Sequence, residues 1–329
     1  LQELVSTPHH SFPDVKATRV IIDTDPGIDD AAAILMGLAS PEPHVEALTT
    51  VFGNTPVSNC TRNALRILEA AQRTGIPVYE GVGKPYNGAT PRFAAHVHGA
   101  DGFGDGTLPL PTTTCQGRNA VLELIDRVLK SPGEITLVAL GRLTNLALAL
   151  SVEPQVASAL RAIVVMGGAI TVPGNASPVA SANLWGDPEA ADVVYRSGAK
   201  IVQIGLDVCN QVEISLEQQQ SVWRMQRPGT QLLETLTPYL KQSYQQRGLL
   251  RHPESIRYND VAAMAYAIDA SLFTCQDVYI RIETQGQYTR GQTVADLEGQ
   301  TGERPNATVA FGVDAARLTR LWMERVQML

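Results

Sequence analysis

The sequence predicts an α/β protein built on an open, mainly parallel sheet with helices on both faces. Two observations carry that expectation. Strand-like and helix-like segments alternate along most of the 329 residues, and the first strand is an unbroken apolar run that leads through a Pro-Gly turn straight into a helix. No linker, internal repeat or low-complexity stretch interrupts the alternation, so 19–329 reads as one domain behind a flexible arm at 1–18.

Taken in order, the arm contains Pro8, His9, His10 and Pro13 without an apolar stretch, which fits neither a signal peptide nor a helix. Val20, Ile21 and Ile22 mark a buried strand over 19–23. Pro26 and Gly27 make a sharp turn, and Asp29, Asp30 and the Ala/Ile/Leu/Met run behind them open a helix over 28–39. Further strands are expected at 45–51, 76–79, 134–140, 162–166 and 200–206. Helices are expected at 57–74, 119–130, 143–151, 187–197, 215–226, 230–247 and 259–269. Gly75 followed by Pro77 stops one helix and leads into a strand. Late strands at 277–283 and 306–312 precede a closing amphipathic helix over 314–327. The segment 80–117, rich in Gly and Pro and carrying His96, His98, Asp101 and Asp105, reads as a long loop that covers or contacts a ligand.

Composition narrows the class. At 44% apolar and 18% charged residues the chain can bury a large core, and a formal charge of -7 speaks against nucleic acid or an anionic membrane as partner. No apolar run reaches the roughly 18 residues of a membrane helix. Cys60, Cys115, Cys209 and Cys275 are scattered with no C-x-x-C spacing, which predicts reduced thiols and a cytoplasmic setting.

Chemistry is concentrated in RVIIDTDPGIDDAAAIL, residues 19–35, where Asp23, Asp25, Asp29 and Asp30 crowd the seam between strand and helix. In an open α/β sheet that seam is the carboxyl edge, where ligands bind. Helix capping explains one or two of these acids, not four, so a cation is expected among them. Oxygen-only ligands suit a hard ion, Ca²⁺ or Mg²⁺. Adjacent helical residues diverge by about 100°, which predicts that Asp25 and Asp30 converge on the ion while Asp29 turns toward a polar substrate. An EF-hand loop is excluded because Ala31 to Leu38 is an apolar helix. A haloacid-dehalogenase-type phosphatase is disfavoured by Gly27 and by the lack of a convincing later lysine and acid pair.

The segment resembles the signature of the inosine-uridine nucleoside hydrolase family, D-x-D-P-G-x-D-D after the first strand. The resemblance continues through TTVFGN (49–54), TRNALRIL (61–68), HVHGADGFG (96–104), LVALGRLTNLALAL (137–150), VVMGGA (164–169), GNASPVASANLWGDPEAA (174–191), VQIGLDV (202–208) and NDVAAMAYAID (259–269). It implies a Rossmann-like core and hydrolysis of the N-glycosidic bond of a ribonucleoside to base and ribose. It further implies a Ca²⁺ ion held by Asp25, Asp30, Asp260 and the backbone carbonyl of Leu140. Asp29, Asn54, Met166, Asn175 and Asn183 match positions around the ribose, Asp23 matches an acid supporting the site from behind, His98 lines the base pocket and Tyr244 covers the base. Asp25 would take the proton of a calcium-bound water, with an oxocarbenium-like transition state. Relatives are commonly dimers or tetramers, so a homodimer or homotetramer is implied.

Two positions depart from the family pattern. Ser181 stands where many relatives carry Glu near the ribose 5′ end, and Asn259 stands where many carry His beside the leaving base. An amide can donate a hydrogen bond but cannot protonate a base as an imidazolium does. The replacement acid is left among His98, Tyr244, His252 and Tyr258. With no P-loop present, nucleosides are favoured over nucleotides. The alternatives are a nucleoside- or ribose-binding protein with little turnover, or a hydrolase of a different N-glycoside.

Overall fold

The computed structural model describes residues 17–329, so the expected arm at 1–18 lies outside the described residues except for its last two positions. The chain runs β1 (Thr18–Thr24), α1 (Ile28–Ala39), β2 (Pro43–Thr50), α2 (Val57–Ala70), β3 (Val78–Glu80), α3 (Ala95–His98) and α4 (Ala120–Lys130). It continues through β4 (Ile135–Ala139), α5 (Thr144–Val152), α6 (Val156–Ala159), β5 (Ala162–Met166), α7 (Ala182–Gly186), α8 (Pro188–Tyr195), β6 (Ile201–Ile204) and α9 (Leu206–Cys209). The last part comprises α10 (Leu216–Trp223), α11 (Pro228–Gln246), α12 (Asn259–Ile268), β7 (Phe273–Ile282), β8 (Thr293–Asp296), β9 (Ala307–Val313) and α13 (Ala315–Val326).

The strands form one sheet in the order β3-β2-β1-β4-β5-β6-β9-β7-β8. Every pairing from β3 across to β9 is parallel, and β7 pairs antiparallel with both β9 and β8. The expected α/β class with a mainly parallel sheet is therefore the observed one. Val20 and Ile22 face one apolar layer, which holds the side chains of α1, α2, α11, α12 and α13. Ile21, Leu137 and Ala139 face the other, built on α4, α5, α6 and α8. Because both faces are covered, the central strands are apolar throughout, as the unbroken run in β1 suggests.

Chain order reverses at β1, which leads to β2 on one side and abuts β4 on the other. A crevice opens outside the carboxyl ends of strands at such a switch point. It puts the end of β1 and the following Asp25 beside Leu140–Arg142, which follow β4.

Departures from the expected elements have local causes. The helix expected at 57–74 stops at Ala70 because Gln72 adopts a left-handed backbone, φ 56°. The strand expected at 200–206 ends at Ile204, where Gly205 starts α9 instead. The short helix α3 interrupts the long loop expected over 80–117, α7 forms where no element was expected, and β8 is an edge strand without an apolar run. All four cysteines are free, Cys60 and Cys209 buried. Among the described residues no helix is long and apolar enough to cross a membrane.

Candidate active site

The floor of the site is made where β1 hands the chain to α1. The Asp30 carboxylate accepts hydrogen bonds from Thr24 Oγ1, from Gly27 N at 2.9 Å and from Asn54 Nδ2 at 3.0 Å. Asp25 Oδ2 accepts the Asn54 N–H at 2.8 Å, while Asp25 Oδ1 is buried with no partner. Such closeness needs glycine on the facing loop: a Cβ on Gly53 would stand 1.7 Å from Asp25 Oδ2. Asp23 lies behind, its Oδ1 held by Thr49 Oγ1 at 2.6 Å and Asn145 Nδ2 at 2.8 Å. Burial pushes the Asp23 carboxyl up to about 6 against those bonds. Its main-chain carbonyl also receives Leu140 N at 2.8 Å, which ties β1 to the end of β4.

Asp29 lines the cavity above the floor, and its oxygens, with those of Asp30 and Asp260, also lie within 4.8 Å of one another, so it stands between the candidate ion cluster and the space for a substrate. Backbone N–H groups of Asp29, Asp30 and Asn259, the last at the start of α12, oppose the rise that burial causes in the Asp29 pKa. The amino-terminal ends of α1 and α12 thus meet, each bringing acids to its positive dipole end. Asp260 sits in the first turn of α12 and is not its N-cap, a position taken by Tyr258. Asp25 is not one of the three tightly grouped acids but stands beside them.

Burial raises all four carboxyls above their ordinary range, Asp29 to about 6, and repulsion from Asp30 adds to the rise at Asp25. Buried anions this close require compensation. An orphaned carboxylate oxygen, three converging acids and the neighbouring Leu140 carbonyl form a donor set that fits a hard divalent cation. The Leu140 carbonyl already accepts a hydrogen bond from Asn183 Nδ2 and keeps a second lone pair.

Above the floor lies a cavity of about 630 Å³. Every residue expected around the substrate lines it, whereas Asp23, Asp25 and Asp30 lie beneath the lining. Asn183 Nδ2 also donates to the Met166 carbonyl at 3.0 Å, so this one amide bridges the ends of β4 and β5. It has no capping role, since Asp187 caps α8. Asn175 Oδ1 accepts Ala182 N at 2.8 Å and fixes the start of α7. Ser181 is buried, its Oγ accepting Gly168 N at 2.7 Å.

Of the four candidates for the leaving-group acid, only His98 and Tyr244 line the cavity. Tyr258 is buried against Thr237 and Trp322, and His252 is an exposed loop residue. His98 Nδ1 accepts Ile28 N at 3.2 Å, and its Nε2 faces Asp29 Oδ1 at 3.8 Å. Burial lowers its pKa to about 4, which favours the neutral ring, and its Nδ1 is already taken up by Ile28 N. Tyr244 is different: its oxygen accepts Asn259 Nδ2 at 3.2 Å, leaving the phenol proton free, and Asn259 Oδ1 is buried without a partner. Burial holds the Tyr244 hydroxyl well above its ordinary pKa, in its protonated form.

A buried arginine of the site escaped sequence reasoning. Arg142, just past β4, is 6% exposed and packs its guanidinium 4.6 Å from the centre of the Phe52 ring. Its Nη2 donates to the carbonyls of Gly53, at 3.3 Å, and Arg92. Burial lowers its pKa and attraction to Asp25 and Asp187 opposes that. The available signal was a single Arg at a strand's carboxyl edge within the otherwise apolar LVALGRLTNLALAL.

A model of the inosine-uridine preferring nucleoside hydrolase family matches residues 20–320. The chain is 39% identical to the probable uridine nucleosidase 2 of Arabidopsis thaliana over 320 residues, 94% of this chain and 97% of the other. It superposes on the plant nucleoside hydrolase PpNRh1 with a TM-score of 0.90 at 37% identity, covering 95% of this chain and 99% of that one. The purine-preferring ribonucleoside hydrolase from Gardnerella vaginalis is also similar, with a TM-score of 0.89 at 30% identity over 94% and 98% of the two chains.

Proposed function

The chain belongs to the inosine-uridine preferring nucleoside hydrolase family, and from that premise we propose that its cavity cleaves ribonucleosides over a calcium-binding carboxylate floor. The observation that carries the reading is the orphaned Asp25 Oδ1 beside three converging buried acids, at the base of a cavity large enough for a nucleoside. Asp25, Asp30, Asp260, Asp29 and the Leu140 carbonyl would hold the ion. A bound divalent cation would offset the crowded negative charge and make nearby water more acidic.

The chain's own groups then divide the work. Asp25 Oδ1, free of hydrogen bonds, takes a proton from the attacking water as its oxygen bonds to C1′. Asp29, Asn54, Asn175 and Asn183 orient the ribose, and Met166 packs against it. The buried anions stabilise the positive charge that spreads over the ring as the C–N bond breaks. Ser181 adds a neutral hydroxyl near the 5′ end. At the far end the bond's electron pair goes to the base nitrogen, and Tyr244 donates its hydroxyl proton in a hydrogen bond to the departing base, polarised by the Asn259 amide behind it.

We read 19–329 as one catalytic domain because one sheet carries both walls of the cavity. By analogy with its relatives we infer a cytoplasmic homodimer or homotetramer, with neither nucleic acid nor membrane as partner. Release of base from uridine and inosine, measured in calcium and after chelation with restoration by calcium, tests the reading. Full activity in chelator removes the ion from the mechanism, and tight nucleoside binding without release makes the protein a binder.

A further inference from the structure

The wall of the cavity is strongly basic although the chain as a whole is acidic, at -7. Among the described residues the carboxylates that line it are Asp29 and Asp260 on the floor, yet five arginines line it. Arg257 is paired with Glu213 at 3.0 Å. Among the described residues Arg92, Arg142, Arg247 and Arg251 have no carboxylate within ion-pairing distance.

Two of the four come from one loop that follows α11. Gly248, at φ 63°, turns the chain between them, and both arginines are exposed residues of the same cavity lining. Arg247 Nη2 donates to the Asn175 carbonyl at 3.0 Å, and Arg251 Nη2 donates to the Asn210 carbonyl at 3.0 Å. A guanidinium carries five N–H donors, and each of these uses one described bond, so most of the fork stays available to a ligand. Arg247 meets the wall at Asn175, whose side chain fixes the start of α7 next to Ser181. That is the end of the cavity where the ribose 5′ carbon is placed, and the buried Ser181 puts no negative charge there.

Unpaired guanidinium forks in a cavity match the geometry of phosphate oxygens. We propose that Arg247, with Arg251, forms a phosphate subsite, so that ribonucleoside 5′-monophosphates are substrates of this cavity alongside nucleosides. The inference rests on the ribose orientation in the reading above. The phosphate takes no part in bond making: water adds to C1′, the base leaves with a proton, and the second product is ribose 5-phosphate. These arginines belong to no phosphate-binding motif in the sequence, and only the fold brings them to the cavity.

The test uses the full-length protein with calcium and compares ribose with ribose 5-phosphate by titration calorimetry, and uridine with uridine 5′-monophosphate by base release. A hydrogen bond to a charged group is worth roughly tenfold to a hundredfold in affinity, so ribose 5-phosphate should bind at least about tenfold more tightly than ribose. Arg247→Gln should remove most of that preference, Arg251→Gln part of it, and added salt should narrow it. Equal binding of the two sugars, no binding of ribose 5-phosphate, or a preference untouched in both variants overturns the subsite. If the phosphate preference stands while neither uridine nor its monophosphate releases base, the hydrolase reading fails and the subsite survives. If uridine alone is cleaved and the preference is absent, the reverse holds.

Discussion

Replacing Gly53 with Ala should cripple the enzyme while adding only one methyl group. The new Cβ would fall 1.7 Å from Asp25 Oδ2, and ordinary contact begins at 3.4 Å, so either the carboxylate or the loop must move. The loop is held by Asn54 N on Asp25 at 2.8 Å and by Arg142 on the Gly53 carbonyl at 3.3 Å. Asp25 has Gly141 against its other side, where a Cβ would stand 2.8 Å from Oδ1. Neither partner can yield freely. Overpacking of this kind costs about 1–3 kcal/mol of stability, and a displacement of ~1 Å at a reacting group costs on the order of a hundredfold in rate. Base release from uridine should thus fall about a hundredfold in kcat, with a modest loss of thermal stability and weakened calcium binding by titration. A Gly53→Ala protein with wild-type kcat and calcium affinity would refute the placement of Asp25 as base.

Asp25→Asn keeps the shape but removes the base, and should lower kcat by roughly 10²–10⁴-fold with thermal unfolding little changed; retention of a tenth of the activity argues for another base. Tyr244→Phe should slow inosine and uridine at least tenfold yet leave p-nitrophenyl riboside within about threefold, since that leaving group needs little help. Equal losses on all three would show that Tyr244 only packs. Arg142→Met removes a buried like charge from the neighbourhood of the ion and should tighten calcium binding on the order of tenfold, read by calorimetry; weaker binding contradicts the repulsion. Glu69 tethers Thr112 and Thr113 of the long loop, and although its slight burial acts upward, their four hydrogen bonds hold its pKa below the ordinary 4.5. Its contribution is therefore present above pH 4.5 and disappears as pH drops through the lower folded value. Glu69→Gln should lower Tm at pH 7, and the gap to wild type should close toward pH 3; a gap that persists there refutes the tether.

Much of this architecture was legible because its causes are local. The apolar run of β1, the Pro26-Gly27 turn and the acids behind it are neighbours in sequence, and the spacing that defines a strand-to-helix seam is short. What stayed hidden depends on contacts from elsewhere. The grouping of Asp29 with Asp260 depends on α12 arriving from far along the chain, which no helical wheel shows. Arg142 is one charge in an apolar stretch, and its burial follows from Phe52 and the Gly53 carbonyl on another strand's loop. Helices α3 and α7 are too short to be stable alone, so composition gave no sign of them. The preference for Tyr244 over His98 turns on which atoms already hold hydrogen bonds, Nδ1 of His98 with Ile28 N and the Tyr244 oxygen with Asn259 Nδ2, contacts that only the fold supplies.

The meeting of α1 and α12 also bears on how the protein is made. Asp30 and Asp260 are 230 positions apart in the chain, yet they close one pocket of oxygens. A cation gripped there would fasten an early segment to a late one, and its binding energy would then add to the stability of the whole. A nascent chain could not complete that grip before the ribosome had passed Asp260, and a fragment ending sooner would be left with its acids repelling one another.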